Sequence, residues 1–104
     1  MNLKELVDQV AKNAGVSKEV AGDVVRATLQ AVQGAVADGE KVTVTGFGTF
    51  EQVHRPGRDA RNPSTGERIT VAESWVPKFR PGATFKDLVQ AAGQEAARRS
   101  GGAA

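Results

Sequence analysis
The fourteen residues from Arg55 to Arg68, RPGRDARNPSTGER, hold four arginines, two prolines, two glycines and no aliphatic side chain larger than alanine. A segment of that make-up cannot enter a core, yet it separates two runs that alternate apolar and polar residues as strands do. It is either a disordered loop or a limb that touches something outside the protein. The buried interior must come from the rest of a 104-residue chain that has four Phe, one Trp, one Met and no Tyr. Chains of this length bury a small share of their surface. One that holds part of itself out of its core is expected to enlarge that core by associating with a second subunit.

Before the limb the pattern is helical. Leu3, Leu6, Val7, Val10 and Ala14 recur at the spacing of an amphipathic helix that Gly15 ends. Ser17 is placed to cap a second helix with a long apolar stripe through Val20, Val24, Val25, Thr28, Leu29, Val32, Ala35 and Val36, stopped by Asp38-Gly39. Two helices and a short turn suggest a base-reading helix-turn-helix. The polar positions of the second helix, however, are Glu19, Asp23, Gln30 and Gln33, which suit phosphate poorly, so both helices are expected to be supports.

From Lys41 the period becomes two. Val42 and Val44 alternate with Thr43 and Thr45, Gly46-Phe47-Gly48 forms a tight connection, and a strand follows over 49–54. Beyond the limb, Ile69 and Val71 resume the alternation and residues 75–79 continue extended. Ala83 or Thr84 then opens a third helix through Phe85, Leu88, Val89 and Ala92. The sequence thus predicts an α+β chain in which the limb is the end of a β-hairpin, with Asn62-Pro63-Ser64-Thr65-Gly66 as turn chemistry at its tip and Pro56-Gly57 as a bend or bulge. Residues 96–104 lack an apolar stripe and are expected to be frayed or disordered.

Charge is unevenly placed. The net charge is only +2, but residues 52–86 carry seven basic side chains against three acidic ones, whereas residues 1–51 carry five against seven. That asymmetry calls for an anionic partner for the second half. Arg55, Arg58 and Arg61 are spaced by three, so an extended ribbon shows them on both faces, which suits a limb inside a groove flanked by phosphates. A proline at an exposed, arginine-rich tip is rigid, apolar and without an N–H. That is the chemistry of a wedge that unstacks a base step in the minor groove. The plainer roles for these groups are protection of a strand edge by charge and shaping of a turn. Lys78 and Lys86 flank Arg80-Pro81-Gly82, the entry to the third helix, where an anion would also be favoured.

Other chemistries find little support. There is no cysteine and a single histidine, His54, and no pair of carboxylates is spaced for acid–base or metal work, so neither enzyme activity, cofactor nor metal is expected. Gly46-Phe47-Gly48 lacks the third glycine of a dinucleotide loop, since residue 51 is Glu51, and Thr49-Phe50 is out of phase with an RNA-recognition-motif core. His54 is expected to meet the partner beside Arg55. No signal peptide or membrane-spanning run is visible, which points to a cytoplasmic protein.

Over roughly residues 1–90 the chain resembles the bacterial HU and integration host factor family of DNA-bending proteins, HU more closely. The resemblance rests on Met1-Asn2 with Glu5-Leu6-Val7, on Gly46-Phe47-Gly48-Thr49-Phe50, on Arg61-Asn62-Pro63-Ser64-Thr65-Gly66, and on Val76-Pro77-Lys78-Phe79 leading to Gly82 and Phe85-Lys86-Asp87. It implies an intertwined dimer with two N-terminal helices, a three-stranded antiparallel sheet, a protruding β-arm over about residues 53–75 and a C-terminal helix, leaving 91–104 as an extension that is expected to be frayed or disordered. It implies that double-stranded DNA in the nucleoid is the partner and is bent with low sequence specificity. Pro63 would intercalate, Arg55, Arg58, Arg61 and Asn62 would line the arm, and Lys86, assisted by Arg80, would contact the backbone; Arg68 and Lys78 are expected to bind DNA as well. Phe47, Phe50 and Phe79 match the aromatic dimer core. Leu3 and Ala83 stand where many HU proteins carry lysine, Asp59 adds a negative charge to the arm, and Trp75 occupies a place usually held by a small or polar residue. A sequence-selective bender like integration host factor, including a heterodimer, and a module whose basic arm grips an acidic protein are the alternatives.

Overall fold
Asn2 starts the first helix: its Oδ1 accepts the Glu5 N–H at 2.9 Å, satisfying one of the free donors of the first turn. In the computed structural model, which describes residues 1–100, this helix, α1, spans Leu3–Ala14 and ends on Gly15 in the left-handed conformation (φ 69°), whose N–H bonds to the Ala11 carbonyl. Ser17 Oγ accepts the Val20 N–H at 3.1 Å and opens α2, Lys18–Ala37. The chain divides into two units, Met1–Ala35 and residue 36 onward.

The first unit is a helical hairpin with a small core. Val7 and Ala11 of α1 and Ala21 of α2 are buried, with Val10 and Val25 packed against them. Gly22 is buried as well; a Cβ there would lie 3.7 Å from Val7 Cγ1, so the small side chains let the two backbones approach. The expected stripe of α2 therefore splits. Ala21 and Val25 face α1, while Val20, Val24 and Leu29 stay exposed. An apolar row of that extent on an exposed helix face marks a surface that another element covers.

In the second unit, β1 (Val42–Val44), β2 (Gly48–Arg55) and β5 (Ser74–Pro81) form an antiparallel sheet in the order β1-β2-β5. Gly46 takes φ 83° in the β1–β2 turn, and the Phe47 N–H closes it on the Val44 carbonyl. Gln52 Nε2 donates to the Val36 and Ala37 carbonyls at 3.3 and 3.2 Å, satisfying acceptors at the end of α2. The remaining strands, β3 (Arg58–Arg61) and β4 (Arg68–Val71), pair only with each other. The α+β architecture with its three-stranded sheet and separate ribbon is the one the sequence predicts.

Two details differ. The helix α3 spans Ala83–Arg99, so the fraying expected beyond residue 91 does not occur over 91–99, while residues 101–104 lie outside the described ones. An apolar stripe is not what sustains this stretch. Ala91, Ala92, Gln94, Ala96 and Ala97 are strong helix formers, and Glu95 lies 3.9 and 3.8 Å from Arg98 and Arg99. Second, Pro56-Gly57 is not a bulge. Arg55 pairs with Ser74 and Arg58 with Val71, so two residues are unpaired on each strand and the register is unchanged.

Phe47, Phe50, Phe79 and Phe85 gather at one end of the sheet. Phe50 and Phe79 are 4.7 Å apart between ring centroids, and Phe47 stacks on Phe85 at 5.3 Å. Phe85, which the sequence assigned only to a helix stripe, joins because the Gly82 N–H bonds to the Phe47 carbonyl and brings the start of α3 beneath the turn. Phe47 remains 43% exposed in the single chain, so the cluster is a half-built core. Gly48 lies under it. A Cβ there would sit 2.5 Å from a Phe79 ring carbon and 2.6 Å from the Arg80 carbonyl. Gly48→Ala is expected to lower stability by about 1–3 kcal/mol through overpacking, read as a reduced midpoint in denaturant titration.

Candidate nucleic-acid interface
The ribbon's tip is built by Asn62. Its Oδ1 accepts the Ser64 N–H at 2.9 Å, its N–H donates to the Glu67 carbonyl, and its carbonyl accepts the Gly66 N–H. Gly66 closes the turn at φ 74°, and Thr65 Oγ1 accepts the Glu67 N–H at 3.3 Å. These bonds hold Pro63 exposed at the outermost bend. Asn62, expected to touch a partner, thus has its side-chain oxygen committed to presenting the proline.

Below the tip, side-chain alternation sorts the arginines. Arg61 lies directly opposite Arg68, and this rung shares a face with Asp59 and Thr70. Arg58 is opposite Val71 on the other face, with Ala60 and Ile69. Like charges across an antiparallel rung oppose pairing, so the Arg61–Arg68 rung is a place where an anion lowers the energy. Among the described residues Arg55, Arg58, Arg61 and Arg68 make no ion pair with a carboxylate.

On the sheet, Arg55, Lys78 and Arg80 share one face, as their register partners Ser74, Glu51 and Thr49 require. Arg80 is not free there: its Nη2 donates to Glu51 Oε2 at 2.9 Å, and Lys41 Nζ is 4.0 Å from the same oxygen. A polyanion on this face meets Lys78 and Arg55 unpaired but must compete for Arg80. Lys86 is exposed in the first turn of α3, whose N-cap, Gly82, provides no side-chain cap bond.

His54 does not point alongside Arg55. It shares the opposite face with Trp75, at 4.9 Å between ring centroids, and its Nε2 lies 3.0 Å from Glu73 Oε2. The sequence reading missed this grouping, whose members come together only through the hairpin register. Among the described residues no helix is long and apolar enough to cross a membrane.

Residues 1–90 match the family described as bacterial DNA-binding protein. DNA-binding protein HU 2 of Streptomyces coelicolor is 52% identical over 89 residues, which cover 86% of this chain but 40% of that protein, so the chain spans less than half of that relative. DNA-binding protein HU-alpha of Vibrio cholerae is 44% identical over 90 residues, 86% of this chain and all of the relative. Among solved structures, an Anabaena HU–DNA cocrystal structure is similar with a TM-score of 0.78 at 44% identity, covering 86% of this chain and 97% of that one. HU from Thermotoga maritima is similar with a TM-score of 0.62 at 37% identity, over 86% and 98%. An arginine ribbon tipped by Pro63, a half-covered aromatic cluster beneath it and the match over residues 1–90 agree: the chain belongs to the bacterial DNA-binding protein family that includes HU.

Proposed function
We propose that the chain acts, without catalysis or cofactor, as a nucleoid-associated homodimer in the cytoplasm that binds and bends double-stranded DNA with low sequence specificity. Residues 1–90 form the binding domain, with the arm over about 53–75 and residues 91–104 as an extension outside it. The observation that carries the reading is the set of four arginines, Arg58, Arg61 and Arg68 on the ribbon and Arg55 at the end of β2, without a carboxylate partner among the described residues, beside an exposed proline that the tip's hydrogen bonds hold in place. Arg55, Arg58, Arg61 and Arg68 follow phosphates and the minor-groove floor, and Asn62 orients the tip. Pro63 enters a base step, unstacking it for roughly a few kcal/mol, and the bend brings more DNA onto the protein. Lys78 and Lys86 hold the backbone of the bent duplex on the body, joined by Arg80 when it exchanges Glu51 for phosphate.

The minor groove offers little sequence information, so selectivity follows deformability, and nicked or bent duplexes bind more tightly than intact ones. The half-covered Phe47, Phe50 and Phe79 supply the subunit contact. Two copies place two arms on one duplex.

The test is a mobility shift on intact, nicked and pre-bent duplexes at several salt concentrations, with Pro63→Ala alongside. If about six phosphates are neutralised, affinity falls on the order of a thousandfold between roughly 50 and 200 mM salt through counterion release. Pro63→Ala should keep that salt slope and lose bending in a DNA-circularisation assay. Equal bending by both proteins would remove the wedge from the mechanism, and a large preference for one sequence would favour a selective bender.

A further inference from the structure
The ribbon joins the sheet through Pro56-Gly57 on one strand and Ala72-Glu73 on the other, four residues outside both ladders. An open cleft of about 460 Å³ lies at this junction, bordered by Val53, Pro56, Arg58 and Val71 among others. Little side-chain packing therefore sets the direction in which the arm leaves the sheet. One side-chain contact reaches into the junction from the sheet. Glu73, within the unpaired segment, meets Nε2 of His54, which is the next-to-last residue of β2. The His54 ring in turn rests on Trp75, its register partner. Trp75 is 57% exposed and lies on the opposite face from Lys78 and Arg55, so it does not belong to the phosphate-facing set.

We propose that His54, Glu73 and Trp75 form a clasp at the sheet side of the arm's hinge and are positioning residues for DNA bending. Trp75 gives the imidazole a flat, rigid seat. The imidazole, carrying its proton on Nε2, donates to the Glu73 carboxylate, and that bond fixes the backbone of the hinge relative to the last rung of the sheet. Charged groups near the pair are Arg55, adjacent in sequence but on the other face, and Arg58 beyond the cleft. The proposal rests on the DNA-bending reading above and refines it: each arm of the dimer departs from a hinge whose sheet-side end is held.

Trp75 is the only tryptophan of the chain, so its fluorescence reports on the clasp directly. Time-resolved anisotropy of the free, full-length protein should show faster local motion of Trp75 in Glu73→Ala and His54→Leu than in the parent. His54→Gln, which retains a side-chain donor, should restore slow motion. In binding experiments, Glu73→Ala should weaken affinity for intact duplex about fivefold, the scale of one exposed ion pair with one ring contact. Nicked duplex should lose less. Removal of a carboxylate beside the arm would by charge alone tighten DNA binding, so a loss with an unchanged salt slope identifies positioning. Unchanged Trp75 motion in Glu73→Ala would overturn the clasp. Freed motion with unchanged or tighter binding to intact duplex would overturn its positioning role. Failure of the parent protein to bind any duplex would instead overturn the DNA reading, with the anisotropy result still standing as the test of the clasp itself.

Discussion

Replacing Arg61 and Arg68 together by glutamate is expected to weaken duplex binding by roughly two to three orders of magnitude at low salt, since two charge-assisted phosphate contacts become two repulsions. The pair faces the same side of the ribbon just below Pro63, so no neighbouring arginine substitutes for it. The single variant Arg61→Glu separates binding from arm stability. It puts opposite charges on a rung that now carries two positive ones, which should favour strand pairing by about 0.2–1 kcal/mol while binding still falls. Anisotropy of a labelled duplex measures the first quantity, and amide hydrogen exchange in residues 58–71 the second. Unchanged affinity in the double variant would take the arm out of DNA binding and favour an acidic protein as its partner.

Phe79→Ala is expected to destabilise the protein by about 3–5 kcal/mol, the usual range for an aromatic deleted from a packed cluster. Phe79, like Phe47, reaches the three other rings, with centroids 5.4 Å from Phe47, 4.7 Å from Phe50 and 6.2 Å from Phe85. Because the single chain leaves this cluster half covered, the loss should appear chiefly as dissociation. The unfolding midpoint of the parent rises with protein concentration when folding is linked to association. For Phe79→Ala the midpoint should be lower at every concentration, and sedimentation should show monomer at concentrations where the parent is dimeric. A parent midpoint independent of concentration would argue against the homodimer.

Local chemistry was what the sequence displayed well. Gly15, Ser17 and Gly39 mark helix ends by conformations and capping groups that act within a few residues, and the structure uses each of them there. The ribbon was equally legible, because a stretch with nothing to bury can only be outside. Partnerships across the hairpin were less so. The capture of Arg80 by Glu51 and the grouping of His54, Glu73 and Trp75 join residues far apart along the chain, and both depend on a register that alternation alone does not number. The long reach of α3 was hidden for another reason: alanine-rich sequence holds a helix by backbone propensity without showing a face. For the candidate site, the identities of the arginines were evident, while their division between two faces required knowing which residue opposes which.

The matched gaps at the base of the ribbon limit how this limb can change its length. Two residues are skipped on each strand, and the pairing then resumes in step. Adding or deleting one residue on one strand would turn that strand's outer side chains to the opposite face, exchanging Arg61 for Ala60, or Arg68 for Ile69, on a given face. Longer or shorter limbs that keep their orientation must therefore gain or lose residues in even and equal numbers on the outgoing and returning strands.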